Sequence, residues 1–150
     1  KPVTEEVRTT LGIDLRVKPF RIEKWEFTAI DMGGQELYQK VFWSLGVSQA
    51  DAVIYMIDGT IRPEHPDFKE SLIQFKYMLN LVEPETPLLI LVNKQDLIEE
   101  NPLTIKEAIV HFEINKITGR SMSLLPSSAK YGDGIEIAMK WLVKRLNEIW

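Results

Sequence analysis

The run Leu88-Leu89-Ile90-Leu91-Val92-Asn93-Lys94-Gln95-Asp96 decides the fold. Its first five residues are uninterrupted aliphatic side chains, as expected of a parallel strand covered on both faces. The next four supply two amides, an ammonium and a carboxylate, groups that do not continue into an apolar interior without partners. A buried strand therefore ends at a polar rim. Working outward, Ala52 to Ile57 is a second nearly continuous aliphatic run. Between the two, Phe68 to Val82 sets Phe68, Leu72, Phe75 and Leu79 at helical spacing. Thr104 to Phe112 reads as a shorter helix, with Thr104 and Glu107 spaced as a capping box. Met122 to Leu125 is a weak final strand, and from Ile135 the residues Ile135, Met139, Leu142, Val143 and Leu146 form one stripe of a closing helix. Upstream the period changes to two. Ile13 to Phe20 and Trp25 to Ile30 alternate apolar and polar residues, and the short link Arg21 to Lys24 predicts a hairpin between them. The pattern predicts one α/β domain over residues 1–150, with a mostly parallel sheet, one antiparallel hairpin strand and helices on both faces.

Composition narrows the function. The 150 residues carry a net charge of -4, which gives no basic surface overall and argues against nucleic acid as a partner. There is no cysteine, so disulfides and thiolate metal sites are excluded and a cytoplasmic setting is expected. His65 and His111 sit in unrelated polar contexts and are expected to be solvated or locally bonded. No apolar run is long enough to span a bilayer, and no signal peptide opens the chain. The chain starts on Lys1-Pro2-Val3-Thr4 without methionine, so residue 1 is not expected to be the start of translation.

The position of the polar clusters carries the functional signal. Three of the strands end directly in one: Asp31-Met32-Gly33-Gly34-Gln35, Asn93-Lys94-Gln95-Asp96, and Ser127-Ser128-Ala129-Lys130. In an open α/β sheet ligands bind outside the carboxyl ends of the strands, so the three clusters are expected on one rim. A turn alone explains any one of them. It does not explain all three at the same address. The Asp96 carboxylate can accept two N–H bonds from adjacent donors on a planar base, and guanine presents such a pair. Adenine does not, and a site built on a polar group left unpaired by the wrong base discriminates by ~10⁴ or more. Asn93 can bond the base or brace the loop, and the Lys94 stem can lie along its face; equally, Asp96 can simply cap a solvated turn. Asp31 suits water-mediated binding of Mg²⁺. A glycine N–H meets a terminal phosphate with no side chain in the way, and Gln35 is placed to orient water for in-line attack on it. Thr10 supplies a hydroxyl just before the first strand.

Taken in order, Thr10-Leu11-Gly12, Asp31-Met32-Gly33-Gly34-Gln35, Asn93-Lys94-Gln95-Asp96 and Ser128-Ala129-Lys130 resemble the motifs of the small GTPases. The double glycine before Gln35 is similar to the Arf, Sar and heterotrimeric Gα branches. The resemblance runs from about Val7 to Trp150 and implies a P-loop NTPase-type G domain that binds GTP and GDP with Mg²⁺ and hydrolyses GTP. It implies that Thr10 ligates Mg²⁺ and touches the γ-phosphate, that Asp31 holds Mg²⁺ through water, and that the Gly34 N–H meets the γ-phosphate. Gln35 positions the hydrolytic water. Asn93, Lys94 and Asp96 hold guanine, and the Ala129 N–H reads the base carbonyl, with Ser128 and Lys130 supporting that loop. Segments around Thr10 and from Gly34 into the 40s are the implied switches, contacting effector, activating and exchange proteins. Leu37, Tyr38, Phe42 and Trp43 either form an apolar effector patch or pack on the core.

One family motif does not occur. The phosphate loop Gly-x-x-x-x-Gly-Lys-Ser/Thr is nowhere in residues 1–150. The resemblance places it, with a first strand in the middle of the sheet, upstream of Thr10, so the chain is expected to be an N-terminally truncated G domain. Two dry, unpaired strand edges would cost ~1–3 kcal/mol per unsatisfied group, which a domain stable by ~5–15 kcal/mol does not absorb. Either the missing segment is present elsewhere, which is the leading expectation, or a swapped copy or partner fills the gap, or the sheet closes up; any membrane association is expected to come from a segment outside this chain. Two readings follow: a GTP-hydrolysing molecular switch, or a non-hydrolysing module that engages partners.

Overall fold

The computed structural model describes residues 13–14, 20–28, 31–32 and 43–150. The chain divides into two compact units, one holding Asp51–Trp150 and the other Thr4–Ala50. In the smaller unit, strand β1 (Ile13–Asp14) pairs antiparallel with β4 (Asp31–Met32), and β2 (Phe20–Ile22) pairs antiparallel with β3 (Trp25–Phe27). The hairpin expected between the two alternating runs is present, but its turn is tighter than Arg21 to Lys24. Arg21 and Ile22 are drawn into the ladder opposite Glu26 and Trp25, leaving Glu23 and Lys24 to turn the chain, Glu23 with φ 54°. The side chains add to the pairing: Phe20 stacks on Phe27 at 5.2 Å and Arg21 meets Glu26 at 3.1 Å. Helix α1 (Ser44–Ser48) follows Trp43, which is buried. Leu37, Tyr38 and Phe42 lie outside the described residues.

The larger unit is built on a parallel sheet in the order β5 (Val53–Asp58), β6 (Leu88–Asn93), β7 (Met122–Pro126). Register partners project to the same face. Tyr55 and Ile90 therefore share one face, and Ile54, Leu89 and Ser123 the other, with Met56, Leu91 and Leu125 beside them. The first face is covered by α2 (Phe68–Leu81), whose Phe75 meets Tyr55 and Phe112 edge-on at 5.7 and 5.1 Å. Desolvation there raises the Tyr55 pKa well above the ordinary phenol value. The second face is covered by α4 (Ile135–Ile149), with Ala138 against Leu89 and Leu91. Covered on both faces and paired on both edges, Leu88–Val92 is buried throughout. The predicted helix stripes hold with small shifts. Phe75, Leu142, Val143 and Leu146 are buried as expected, while Met78 and Ala138 replace Leu79 and Met139 at the centre.

Helix α3 (Ile105–His111) begins with both bonds of its capping box: the Glu107 N–H donates to Thr104 Oγ1 at 3.2 Å, and the Thr104 N–H donates to Glu107 Oε1 at 3.4 Å. Strand β5 differs from β6. Among the described strands it is paired with β6 alone, and Ile54 and Met56 are each 45% exposed on the face that α4 covers further along the sheet.

Candidate functional site

The carboxyl ends of β5, β6 and β7 form one rim of the Asp51–Trp150 unit. Two of the clusters singled out in the sequence meet there. Asn93, the last residue of β6, uses Oδ1 to accept a bond from Ser127 Oγ at 3.1 Å and one from the Ala129 N–H at 2.9 Å. The Gln95 N–H donates to the Ser127 carbonyl at 3.1 Å, and Ser128 Oγ donates to Asp96 Oδ1 at 2.9 Å. Four bonds thus tie the loop after β6 to the loop after β7. Ser127 and Ser128 are buried, and the hydroxyls have these bonds as the physical reason to be there.

Ser128 is itself held by a tight turn. Its N–H donates to the Asp133 carbonyl and its own carbonyl accepts from the Gly132 N–H. Gly134, with φ 78°, then starts α4, and a Cβ there would lie 2.3 Å from the Pro126 carbonyl oxygen. Only glycine combines that left-handed backbone with that approach. The Lys130 ammonium lies 5.4 Å from the Tyr131 ring centre.

Sequence reasoning missed a third participant, Asp58-Gly59-Thr60 at the end of β5. Asp58 is the register partner of Asn93. Its Oδ1 accepts from the Thr60 N–H at 2.9 Å and from Thr60 Oγ1 at 2.7 Å, and its Oδ2 accepts from Lys94 Nζ at 2.8 Å. Partial burial alone would raise the Asp58 pKa; the bonds from Lys94 and Thr60 outweigh it and hold the carboxyl below its ordinary value. Lys94 has φ 64°, an uncommon backbone for a side chain of its size, and such strain gathers at functional sites. Gly59 donates its N–H to the Asn93 carbonyl at 3.1 Å and accepts from the Leu103 N–H at 2.8 Å; a Cβ there would lie 2.5 Å from Asn93 O. Further out, Arg62 pairs with Glu107 and donates to the Asn101 carbonyl, bracing the loop after β5 against the start of α3. The rule that found the other clusters also finds this one, since it too is a polar triplet directly after an apolar run.

Thr10, Gly34 and Gln35 lie outside the described residues, and Asp31 is described only as backbone paired with Asp14. Among the described residues no three His, Cys, Asp or Glu side chains form a metal-binding group.

The sequence model of the ADP-ribosylation factor family matches residues 3–146. The chain belongs to that family. ADP-ribosylation factor-like protein 1 of Drosophila melanogaster is 30% identical over 145 residues, covering 96% of this chain and 77% of that protein. ADP-ribosylation factor F of Dictyostelium discoideum is 27% identical over 137 residues, covering 91% of this chain and 70% of that protein. Among solved structures, the Arl6 BBS3 small GTPase from Trypanosoma brucei with bound nucleotide analogue GppNp superposes with a TM-score of 0.80 at 22% identity, covering 99% of this chain and 86% of that one. The likeness establishes the α/β G-domain fold for this Arf-family chain. The resemblance to an Arf-like small GTPase holds at the level of family and fold.

Proposed function

We propose that this Arf-like chain is a molecular switch that binds GTP and GDP at the rim of β5, β6 and β7 and hydrolyses GTP. The observation that carries the reading is the clamp of Asn93 and Asp96 onto Ser127, Ser128 and Ala129. It holds a carboxylate at a fixed position beside an amide, the donor and acceptor set a guanine edge requires. Asp96 keeps Oδ2 for one base N–H while Oδ1, already oriented by Ser128, takes the second. Asn93 Oδ1 holds the Ala129 N–H in this structure; in the proposed complex the base carbonyl draws on that N–H, and Asn93 braces the loop.

The phosphate half of the proposal rests on the family. Thr10 and Asp31 offer a hydroxyl and a carboxylate, an all-oxygen set that suits Mg²⁺. When bound there, Mg²⁺ neutralises charge on the phosphates. The Gly34 N–H contacts the terminal phosphate and Gln35 orients the attacking water. The phosphate loop and a strand beside β5 are proposed to come from outside residues 1–150 or from a second copy. The switch segments around Thr10 and Gly34 are the proposed contacts for effector, activating and exchange proteins. A cytoplasmic location is part of the same proposal; among the described residues no helix is long and apolar enough to cross a membrane. Titrating the full-length protein with GDP and GTP in Mg²⁺ and following phosphate release tests the reading. It expects binding of both nucleotides and slow turnover, because a switch without its activator lacks full charge stabilisation in the transition state. Binding of neither contradicts it, and binding without turnover leaves the non-hydrolysing module.

A further inference from the structure

From the geometry of the rim we infer that Asp58 is a positioning residue that holds the Lys94 side chain extended as a rail for the purine face. The inference rests on the guanine-binding reading above and adds to it a residue on a different strand. Lys94 is fixed at both ends. At its backbone, the Leu97 N–H donates to the Lys94 carbonyl at 3.1 Å, the Gln95 N–H donates to Ser127 O, and φ is 64°. At its tip, Nζ donates to Asp58 Oδ2 at 2.8 Å. Asp58 is in turn oriented by two bonds from Thr60 and by its place beside Asn93 at the end of β5. The four-carbon stem must therefore run from the β6 loop toward β5, next to Asn93 and Asp96.

The exposure of the pair says what it is for. The Lys94 and Asp58 side chains are 43% and 30% exposed. An ion pair that open to water contributes little to stability. Its effect lies in the order it imposes: a long side chain fixed before the ligand arrives loses no further freedom when a ring is laid along it, and such preorganisation shows as affinity. The Arg62 and Glu107 brace and the close approach of Gly59 to Asn93 keep the β5 loop, and hence Asp58, in register with the β6 loop.

The test is a double-mutant cycle on the full-length protein with GDP as the probe, comparing Asp58→Asn, Lys94→Met and the pair. Asp58→Asn keeps an oxygen for the Thr60 bonds but turns an N–H donor toward the ammonium. Lys94→Met keeps a straight aliphatic stem with nothing for Asp58 to hold. We expect Asp58→Asn to weaken GDP binding by roughly 2- to 10-fold, the scale of ordering one long side chain. In the Lys94→Met background it should have almost no effect, with the thermal midpoint changed little by either substitution. Equal losses in both backgrounds would make Asp58 a structural support of the loop and overturn the inference, as would full affinity in Asp58→Asn. A wild-type protein that binds no GDP overturns the guanine reading and this inference together, whereas wild-type binding with additive losses overturns this inference alone.

Discussion

Ser128 Oγ donates a 2.9 Å hydrogen bond to Asp96 Oδ1, joining two loops 32 positions apart in the chain. The bond has two consequences. It satisfies a buried hydroxyl, and it fixes the direction in which the carboxylate presents its lone pairs. Ser128→Ala removes both without adding bulk. We expect a loss of ~1 kcal/mol in stability by urea denaturation. GDP affinity should fall while the preference for guanine survives, because the two carboxylate oxygens remain. Calorimetric titration with GDP and with ADP checks the second part, and a collapse of selectivity would show that Ser128, not Asp96, reads the base.

The glycines of the turn before α4 separate backbone strain from crowding. Gly132 has φ 83° with open space where a Cβ would stand, whereas Gly134 has φ 78° and the Pro126 carbonyl 2.3 Å from that position. Gly132→Ala should cost ~1–2 kcal/mol, the cost of a left-handed alanine. Gly134→Ala should cost more than ~2 kcal/mol, since crowding is added to the same strain. Parallel urea titrations decide whether the two differ.

Acid should loosen the brace between the loop after β5 and α3. The hydrogen bond from Arg62 holds the Glu107 pKa below its ordinary value, outweighing desolvation, with the Thr104 N–H adding to the effect. A depressed carboxyl pKa adds stability that is fully present above the unfolded value, about 4.3, and is lost as pH falls through the folded one. Glu107→Gln should therefore be less stable than wild type near neutral pH, and the gap should close as pH drops below about 4. Thermal midpoints of both proteins across that range give the answer.

Whether a feature is legible in the sequence follows from what its signal depends on. The run from Leu88 to Val92 announces a doubly covered strand because burial on both faces leaves no polar position. Thr104 and Glu107 announce the start of α3 because a capping box is local in sequence. The hairpin turn reads too wide because Arg21 and Ile22 look like loop until they pair with Glu26 and Trp25, and that pairing is not local. Asp58-Gly59-Thr60 is visible as a polar triplet after an apolar run, but the pairing of Asp58 with Lys94 is not, since it depends on Asp58 lying beside Asn93 across a parallel ladder whose register no spacing in the sequence states. The left-handed backbone of Lys94 is invisible too, since nothing in Asn-Lys-Gln-Asp demands it. Asn93, Asp96, Ser128 and Ala129 are brought together within one unit, as their shared address predicts. Gln35, Gly34 and Thr10 lie outside the described residues.

Gln35 can nevertheless be probed by substitution. Gln35→Leu should leave GTP binding close to wild type and slow phosphate release by roughly 10²-fold, the lower end of what one positioned group contributes to a proton-transfer or water-attack step. Single-turnover hydrolysis, started with Mg²⁺, measures it. Unchanged rates would remove Gln35 from the reaction.

The claim beneath all of this is that the Asp96 carboxylate accepts two neighbouring donors from guanine. Asp96→Asn exchanges one acceptor for a donor in nearly the same volume, so competition between GDP and other nucleoside diphosphates for the full-length variant tests it most directly. The account predicts a strong guanine preference in the wild type, of order 10⁴ over adenine, and its loss in Asp96→Asn in a protein that remains folded. A folded variant that still selects guanine as wild type does would contradict it.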